Sequence, residues 1–343
     1  MHWLLTVLGI LIVLPVAAAA IWIGYSALFV SHRVPLPPAL SGDRRELTSN
    51  AGPLSYYSSG PAAISEPMLL IHSVNAAASA YEVRPLFEHY RKTRTVYALD
   101  LPGFGFSDRG DRAYTPRLMT DSILAMVGEI ARAHGNAPMD ALTVSLSSEF
   151  LARAATEKPD AFRTLGLISP TGFNRNTPDA APPGSTRAMP TLRRIFSFPP
   201  WSRAFFDLLT SKPSIRYFLE KTWGSKQIDE GLLEYDYLTT HQPAAQHAPY
   251  SFVCGFLFSL DIRRIYRSIA HPVWMVHGVR GDFVDYSGVH AFKEMPNWSV
   301  QVFPTGALPH FENTEEFIRS YDVFLENVLR ERKASGRDAG SAS

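Results

Sequence analysis

Short, fully apolar runs alternate with helical stretches along most of this chain, and that rhythm leaves few folds open. Residues 68–72, 95–99, 141–144 and 164–169 each read as a strand with no polar face. Between them, residues 80–91 and 117–133 carry helical periodicity, the second with Leu118, Ile123, Leu124, Met126, Val127 and Ile130 on one stripe. The alternation resumes late, with strands at 271–277 and 299–303 and helices at 287–294 and 315–332. Strands that are apolar throughout need cover on both faces, so the pattern predicts an α/β fold with a mostly parallel sheet flanked by helices. Two candidate antiparallel strands, 45–49 and 54–59, flank the turn Asn50-Ala51-Gly52 ahead of it.

The rhythm breaks between 174 and 262. A proline-bearing loop there leads into several helical patterns without strands, rich in aromatics such as Phe206, Trp223, Tyr235 and Tyr250. This segment reads as a helical cap inserted into the α/β core (44–173 and 263–332), its aromatics packing it down and a few lining an apolar cavity. The tail, 333–343, is small and polar and is expected to be disordered.

The amino terminus differs from the rest. Trp3 to Val30 carries no charged side chain, a longer stretch than the roughly 20 residues a bilayer crossing needs. A cleaved signal peptide is the rival, with Ala17-Ala18-Ala19 as a small-residue site. Against it, the first residues lack Lys and Arg, and the apolar run continues past that site. Residues 1–31 are therefore expected to be a transmembrane anchor, followed by a linker (32–43) stiffened by Pro35, Pro37 and Pro38. Arg33, Arg44 and Arg45 follow the span and none precedes it, which places the main domain in the cytoplasm. A net charge of +1 argues against a nucleic-acid partner, and the single Cys254 excludes an internal disulfide.

Chemistry concentrates where the strand at 141–144 runs through Ser145 directly into a helix. A serine on so sharp a turn projects its hydroxyl from the top of a sheet. The turn crowds the positions two before and two after it, which Thr143 and Ser147 fill with small side chains rather than glycines. Ser147 as the nucleophile would put Glu149 in that crowded position, so Ser145 is preferred. Acyl transfer also needs a base, an acid to orient it and donors for an oxyanion. His310, in the loop between the last strand and the last helix, is the candidate base. Asp282, after the strand at 271–277, is the candidate acid, with Asp285 as the alternative. His72 and His277 sit at strand ends, where they brace turns. The backbone amides of Val74 and Leu146 are the candidate oxyanion donors, Leu146 also opening a helix whose dipole favours negative charge.

With the order Ser145, Asp282, His310 in place, the chain resembles the α/β-hydrolase superfamily over residues 44–332. Leu69-Leu70-Ile71-His72-Ser73, Asp100-Leu101-Pro102-Gly103-Phe104-Gly105-Phe106-Ser107 and Gly306 through His310-Phe311-Glu312 carry the resemblance. It implies an eight-stranded sheet, a lid over the site, a serine nucleophile, and neither cofactor nor metal. The expected activity is hydrolysis of an apolar carboxylic ester by a membrane-anchored serine hydrolase through an acyl-enzyme. Two alternatives stay open: carbon–carbon bond hydrolysis on the same fold, and a non-catalytic, membrane-tethered binding protein in which the altered elbow no longer turns over.

Overall fold

The central strands are apolar along their whole length because each face of the sheet has its own core. In the computed structural model, which describes residues 2–61, 66–283 and 285–340 (side chains at 13–334 of these), an eight-stranded sheet runs in the order β1-β2-β4-β3-β5-β6-β7-β8. Its strands are β1 (Asp43–Ser49), β2 (Gly52–Ser59), β3 (Met68–Ile71), β4 (Val96–Asp100), β5 (Met139–Val144), β6 (Phe162–Ile168), β7 (Val273–His277) and β8 (Trp298–Val302). Only β2 pairs antiparallel, with β1 and with β4; every other pairing is parallel.

The two-residue period of the strands divides the side chains between the faces. Leu69, Ile71, Ala141, Val273 and Met275 join Ile123, Met126 and Phe150 of helices α3 (Pro116–His134) and α4 (Ser147–Glu157). Met68, Leu70, Leu142, Trp274 and Val276 join Phe87 of α2 (Arg84–Tyr90) and Phe317 and Tyr321 of α13 (Thr314–Gly340). Helix α13 thus runs past residue 332, where the sequence places its end; the side chains of 335–340 and all of 341–343 lie outside the described residues.

Between β6 and β7 the chain leaves the sheet for a run of helices. These are α5 (Pro190–Phe196), α6 (Pro199–Leu209), α7 (Lys212–Trp223), α8 (Glu230–Thr240), α9 (His247–Val253) and α10 (Ile262–Arg267). Most cap aromatics are packing residues: Phe206, Trp223, Tyr235 and Tyr250 are buried. Phe198, Trp201, Tyr217 and Phe218 are exposed instead. After β7 comes the short α11 (His290–Lys293), and beyond β8 α12 (Pro309–Glu312), which carries His310, precedes α13.

The chain opens on α1 (His2–Phe29), which docks its carboxyl-terminal end on the cap. Among the described residues no helix is long and apolar enough to cross a membrane. The anchor expected at 1–31 falls on α1, of which the side chains of 2–12, and all of residue 1, lie outside the described residues.

Candidate active site

Strand β5 ends in a turn that only a tightly specified sequence can make. Ser145 takes the left-handed conformation, φ 55°, which costs an L-residue roughly 1–2 kcal/mol. It is held there by its own amide, which donates to the Ile168 carbonyl at 2.8 Å, and by its carbonyl, which accepts from Ser148 N at 3.1 Å. The hydroxyl stands partly open to solvent, at the carboxyl ends of the parallel strands. The residues that replace glycine beside it are fully buried and each makes a hydrogen bond. Ser147 Oγ donates to the His72 carbonyl at 2.6 Å, and Thr143 Oγ1 pairs with Ser148 Oγ at 3.0 Å. The elbow is therefore formed without its usual glycines.

The Ser147 bond also ties the elbow to the loop after β3, where Val74 lies. The amides of Val74 and Leu146 donate to no other group among the described residues. His72 holds the base of that loop: Leu101 N donates to its Nε2 at 2.9 Å, so the ring proton sits on Nδ1 and donates to the Ser73 carbonyl. Burial drives this histidine down to about 4, opposed by the Ser73 bond. His277 likewise bonds its own turn through Nδ1 and stacks on Tyr286, ring centroids 4.0 Å apart. Both histidines brace strand ends.

Glu82 is a functional candidate that no sequence signal marked. It is buried, and its carboxylate accepts from Ser73 N at 2.7 Å, Ser73 Oγ at 2.9 Å and Asn75 Nδ2 at 2.7 Å. Burial raises its pKa, and the Ser73 and Asn75 bonds pull it back. Its backbone carbonyl accepts from His310 Nε2 at 2.8 Å. One residue therefore fixes both the loop carrying Val74 and the imidazole of the candidate base.

His310 itself is fully buried, and burial lowers it to about 4. Because a carbonyl can only accept, the ring proton is on Nε2 and the free lone pair is on Nδ1, which has no hydrogen-bond partner. A serine relay needs the reverse tautomer, with Nδ1–H held by an acid and the Nε2 lone pair facing the hydroxyl. Among the described residues no hydrogen bond joins His310 to Ser145 or to Asp282.

Among the described residues Asp282 makes no hydrogen bond to this cluster. Its side chain is half-exposed and pairs with Lys221 of α7 at 3.1 Å, while its amide donates to the Lys221 carbonyl. Asp285 is also turned elsewhere, accepting from Arg175 N at 3.0 Å and from Ser287 N and Oγ. Those bonds, led by that of the Ser287 hydroxyl, hold its carboxyl below the usual range. A buried carboxyl in the cap, Asp236 of α8, has Oδ1 unpartnered; burial first, then nearby Glu82, drives it well upward.

A recess of about 150 Å³ lies between the loop after β3, the loop after β4 and the cap, lined by Ala76, Ala77, Gly103, Phe104, Arg109 and Thr239. None of the cap aromatics lines it. Arg109 spans it, donating to the Gly105 carbonyl and to both the carbonyl and hydroxyl of Thr239. A larger recess, lined by Gly128, Ala131 and Lys158 among others, opens at the amino-terminal end of β5, away from the elbow.

A sequence profile described as the alpha/beta hydrolase family matches residues 68–320. No curated protein matches the sequence. Among solved structures, a probable hydrolytic enzyme from Pseudomonas aeruginosa superposes with a TM-score of 0.65 at 17% identity, over 88% of this chain and 99% of that one. A meta-cleavage product hydrolase from Pseudomonas fluorescens gives 0.61 at 18% identity, over 82% and 97%. A membrane phospholipase A described as a bacterial virulence factor gives 0.60 at 19% identity, over 96% of each chain. At these identities the likeness is one of fold.

Proposed function

Since the chain belongs to the alpha/beta hydrolase family, we propose that it is a membrane-anchored serine hydrolase acting on an apolar carboxylic ester. One observation carries the reading: Ser145 is held at positive φ on the strand-to-helix turn, and among the described residues the amides of Val74 and Leu146 donate to no acceptor. In this reading Ser145 Oγ attacks the ester carbonyl and its proton passes to His310. The two amides take the oxyanion, His310 returns the proton to the departing oxygen so that the alcohol leaves, and water, its proton taken by His310, then hydrolyses the acyl-enzyme. For this relay His310 has to release the Glu82 carbonyl and place its proton on Nδ1, with Asp282 leaving Lys221 to hold it. Serine-reactive fluorophosphonate tests the nucleophile: labelling of the folded protein that vanishes in Ser145→Ala supports it. Comparing Asp282→Asn with Lys221→Met tests the acid, since loss of turnover in the first and retention in the second is required. Graded p-nitrophenyl esters then separate long-chain from short-chain preference, and a diketone substrate tests carbon–carbon hydrolysis.

The anchor is part of the proposal. Helix α1 is 28 residues long, about 42 Å at 1.5 Å per residue, and its described apolar side chains Val13, Leu14, Val16, Ile21 and Leu28 face outward uncovered. Arg33, Arg44 and Arg45 favour a cytoplasmic main domain. Retention of the full chain in membranes after alkaline carbonate washing is the expected result, and complete release would remove the anchor.

A second reading draws on the tautomer of His310 and on the Asp282–Lys221 pair. A membrane-tethered binding protein that keeps the elbow without turnover matches both. Absence of fluorophosphonate labelling in a folded sample would favour it.

A further inference from the structure

Helix α6 meets three different surroundings around its circumference, and one of them is uncovered. Ser202 and Phe206 point into the cap core. Ala204 and Asp207 face α1: Trp22 Nε1 donates to the Ala204 carbonyl at 2.7 Å, Ser26 Oγ donates to Asp207, and His32 Nε2 lies 2.9 Å from the same carboxylate. Trp201 and Leu208 lie within about 60° of Ala204 around the helix, at 100° per residue, immediately beside the α1 contact. Yet they are 40% and 50% exposed, on a helix whose Phe206 is buried and whose Phe205 and Leu209 are at least half-buried.

The uncovered stripe continues into the chain before α6. Phe198 packs at a tilt against Trp201 with ring centroids 4.5 Å apart, and Ile195 and Met189 are exposed on α5 and at its start. Charge on this segment is of one sign. From residue 180 to residue 206 the chain has four arginines (Arg187, Arg193, Arg194, Arg203) and no acidic residue. Asp207, which follows, is buried and met by Arg203 and His32. Aromatic and aliphatic side chains beside arginines, free of carboxylates, match the headgroup boundary of a bilayer.

The position of the stripe fits the same partner. Trp22, Tyr25 and Phe29 stack along the carboxyl-terminal end of α1, where an aromatic belt marks the edge of a span. Helix α6 touches α1 at that level, between Trp22 and Ser26. We infer that the α5–α6 face of the cap docks on the surface of the lipid bilayer that α1 enters, burying Phe198, Trp201 and Leu208 at the headgroup level with Arg194 toward the phosphates. The inference rests on the reading of α1 as an anchor, and its test separates the two.

The full chain, carrying Cys254→Ala, is labelled with an environment-sensitive fluorophore at one introduced cysteine and reconstituted in phosphatidylcholine–phosphatidylglycerol vesicles containing lipids spin-labelled near the headgroup. Three sites are compared: Leu208→Cys on α6, Leu14→Cys on α1, and Val323→Cys on α13, all exposed positions that leave packing intact. Docking requires a blue shift and spin-label quenching at both Leu208 and Leu14, with neither at Val323. Quenching at Leu14 alone leaves the anchor standing and overturns the docking. No quenching at either site overturns both. A blue shift without quenching at Leu208 means that protein, such as a second copy, covers the stripe, and overturns the lipid assignment.

Discussion

Two buried side chains set what the candidate site can do. His310 titrates near 4 in the fold against an ordinary 6.5, so below pH 6.5 the unfolded chain takes up a proton that the native site refuses. Stability from this group is therefore present above 6.5 and lost as the pH falls toward 4, by about 2 kcal/mol at pH 5. His310→Gln lacks that proton, so its deficit relative to wild type should shrink by about this amount between pH 8 and pH 5 in urea denaturation. A deficit independent of pH would mean that burial does not hold the imidazole down. Glu82→Gln puts an amide N–H where Ser73 and Asn75 both donate; leaving buried donors unpaired should cost about 1–3 kcal/mol. The loop carrying Val74 should shift with it, and fluorophosphonate labelling of Ser145 should slow. Unchanged stability and labelling would remove Glu82 from the site. Ser145 was legible in the sequence because its turn is encoded locally, by an apolar strand, small neighbours and an immediate helix. Glu82 was not, because its role exists only once a 3₁₀ turn (Ala80–Val83) folds it back onto Ser73, nine residues earlier.

At the level of elements, the same contrast between local and assembled information holds. The strands were readable to within a few residues since each is apolar on both faces, and β3 at Met68–Ile71 lies nearly where the sequence puts it. The placement of Asp282 was not readable. It depends on Lys221, sixty-one positions away in the cap, and on the loop at Gly281, whose φ of 91° brings it against the end of α7. The sheet also has a polar foot hidden among apolar strands. Asp140 at the start of β5 is buried and accepts from Arg94 at 2.6 Å, from Arg163 Nε at 2.8 Å and from Thr164 at 2.7 Å. Burial would raise its carboxyl, but the Arg163 hydrogen bond and the charges of both arginines win and hold it low. Asp140→Ala strands two buried guanidinium groups and should cost about 3–5 kcal/mol. A loss within about 0.5 kcal/mol, the range of ordinary surface changes, would show that the arginines find other partners.

For the molecule as a whole, the proposed docking sets anchor and cap against one lipid surface. If the α5–α6 face rests on lipid, Trp201→Glu with Leu208→Glu should leave hydrolysis of a soluble short-chain ester unchanged and lower hydrolysis of a long-chain ester held in vesicles. Both positions are exposed, so thermal stability in detergent should stay within about 0.5 kcal/mol. Equal loss on both esters would mean that the substitutions damage the cap. The recess between the loops after β3 and β4 and the cap is too narrow to admit even a water molecule. For an ester of the proposed kind to enter there, the cap has to move.

The carbonyls at the end of α7 bear on that motion. Lys221 O accepts from the amide of Asp282 and Thr222 O from the amide of Ala307, so one cap helix grips the loops that carry both the aspartate and the histidine. Gly306 permits the grip, since a Cβ there would stand 2.4 Å from the Trp223 carbonyl. Lifting this helix would drag on both handles at once, so admitting a guest and rearranging the proton carriers become two ends of a single lever.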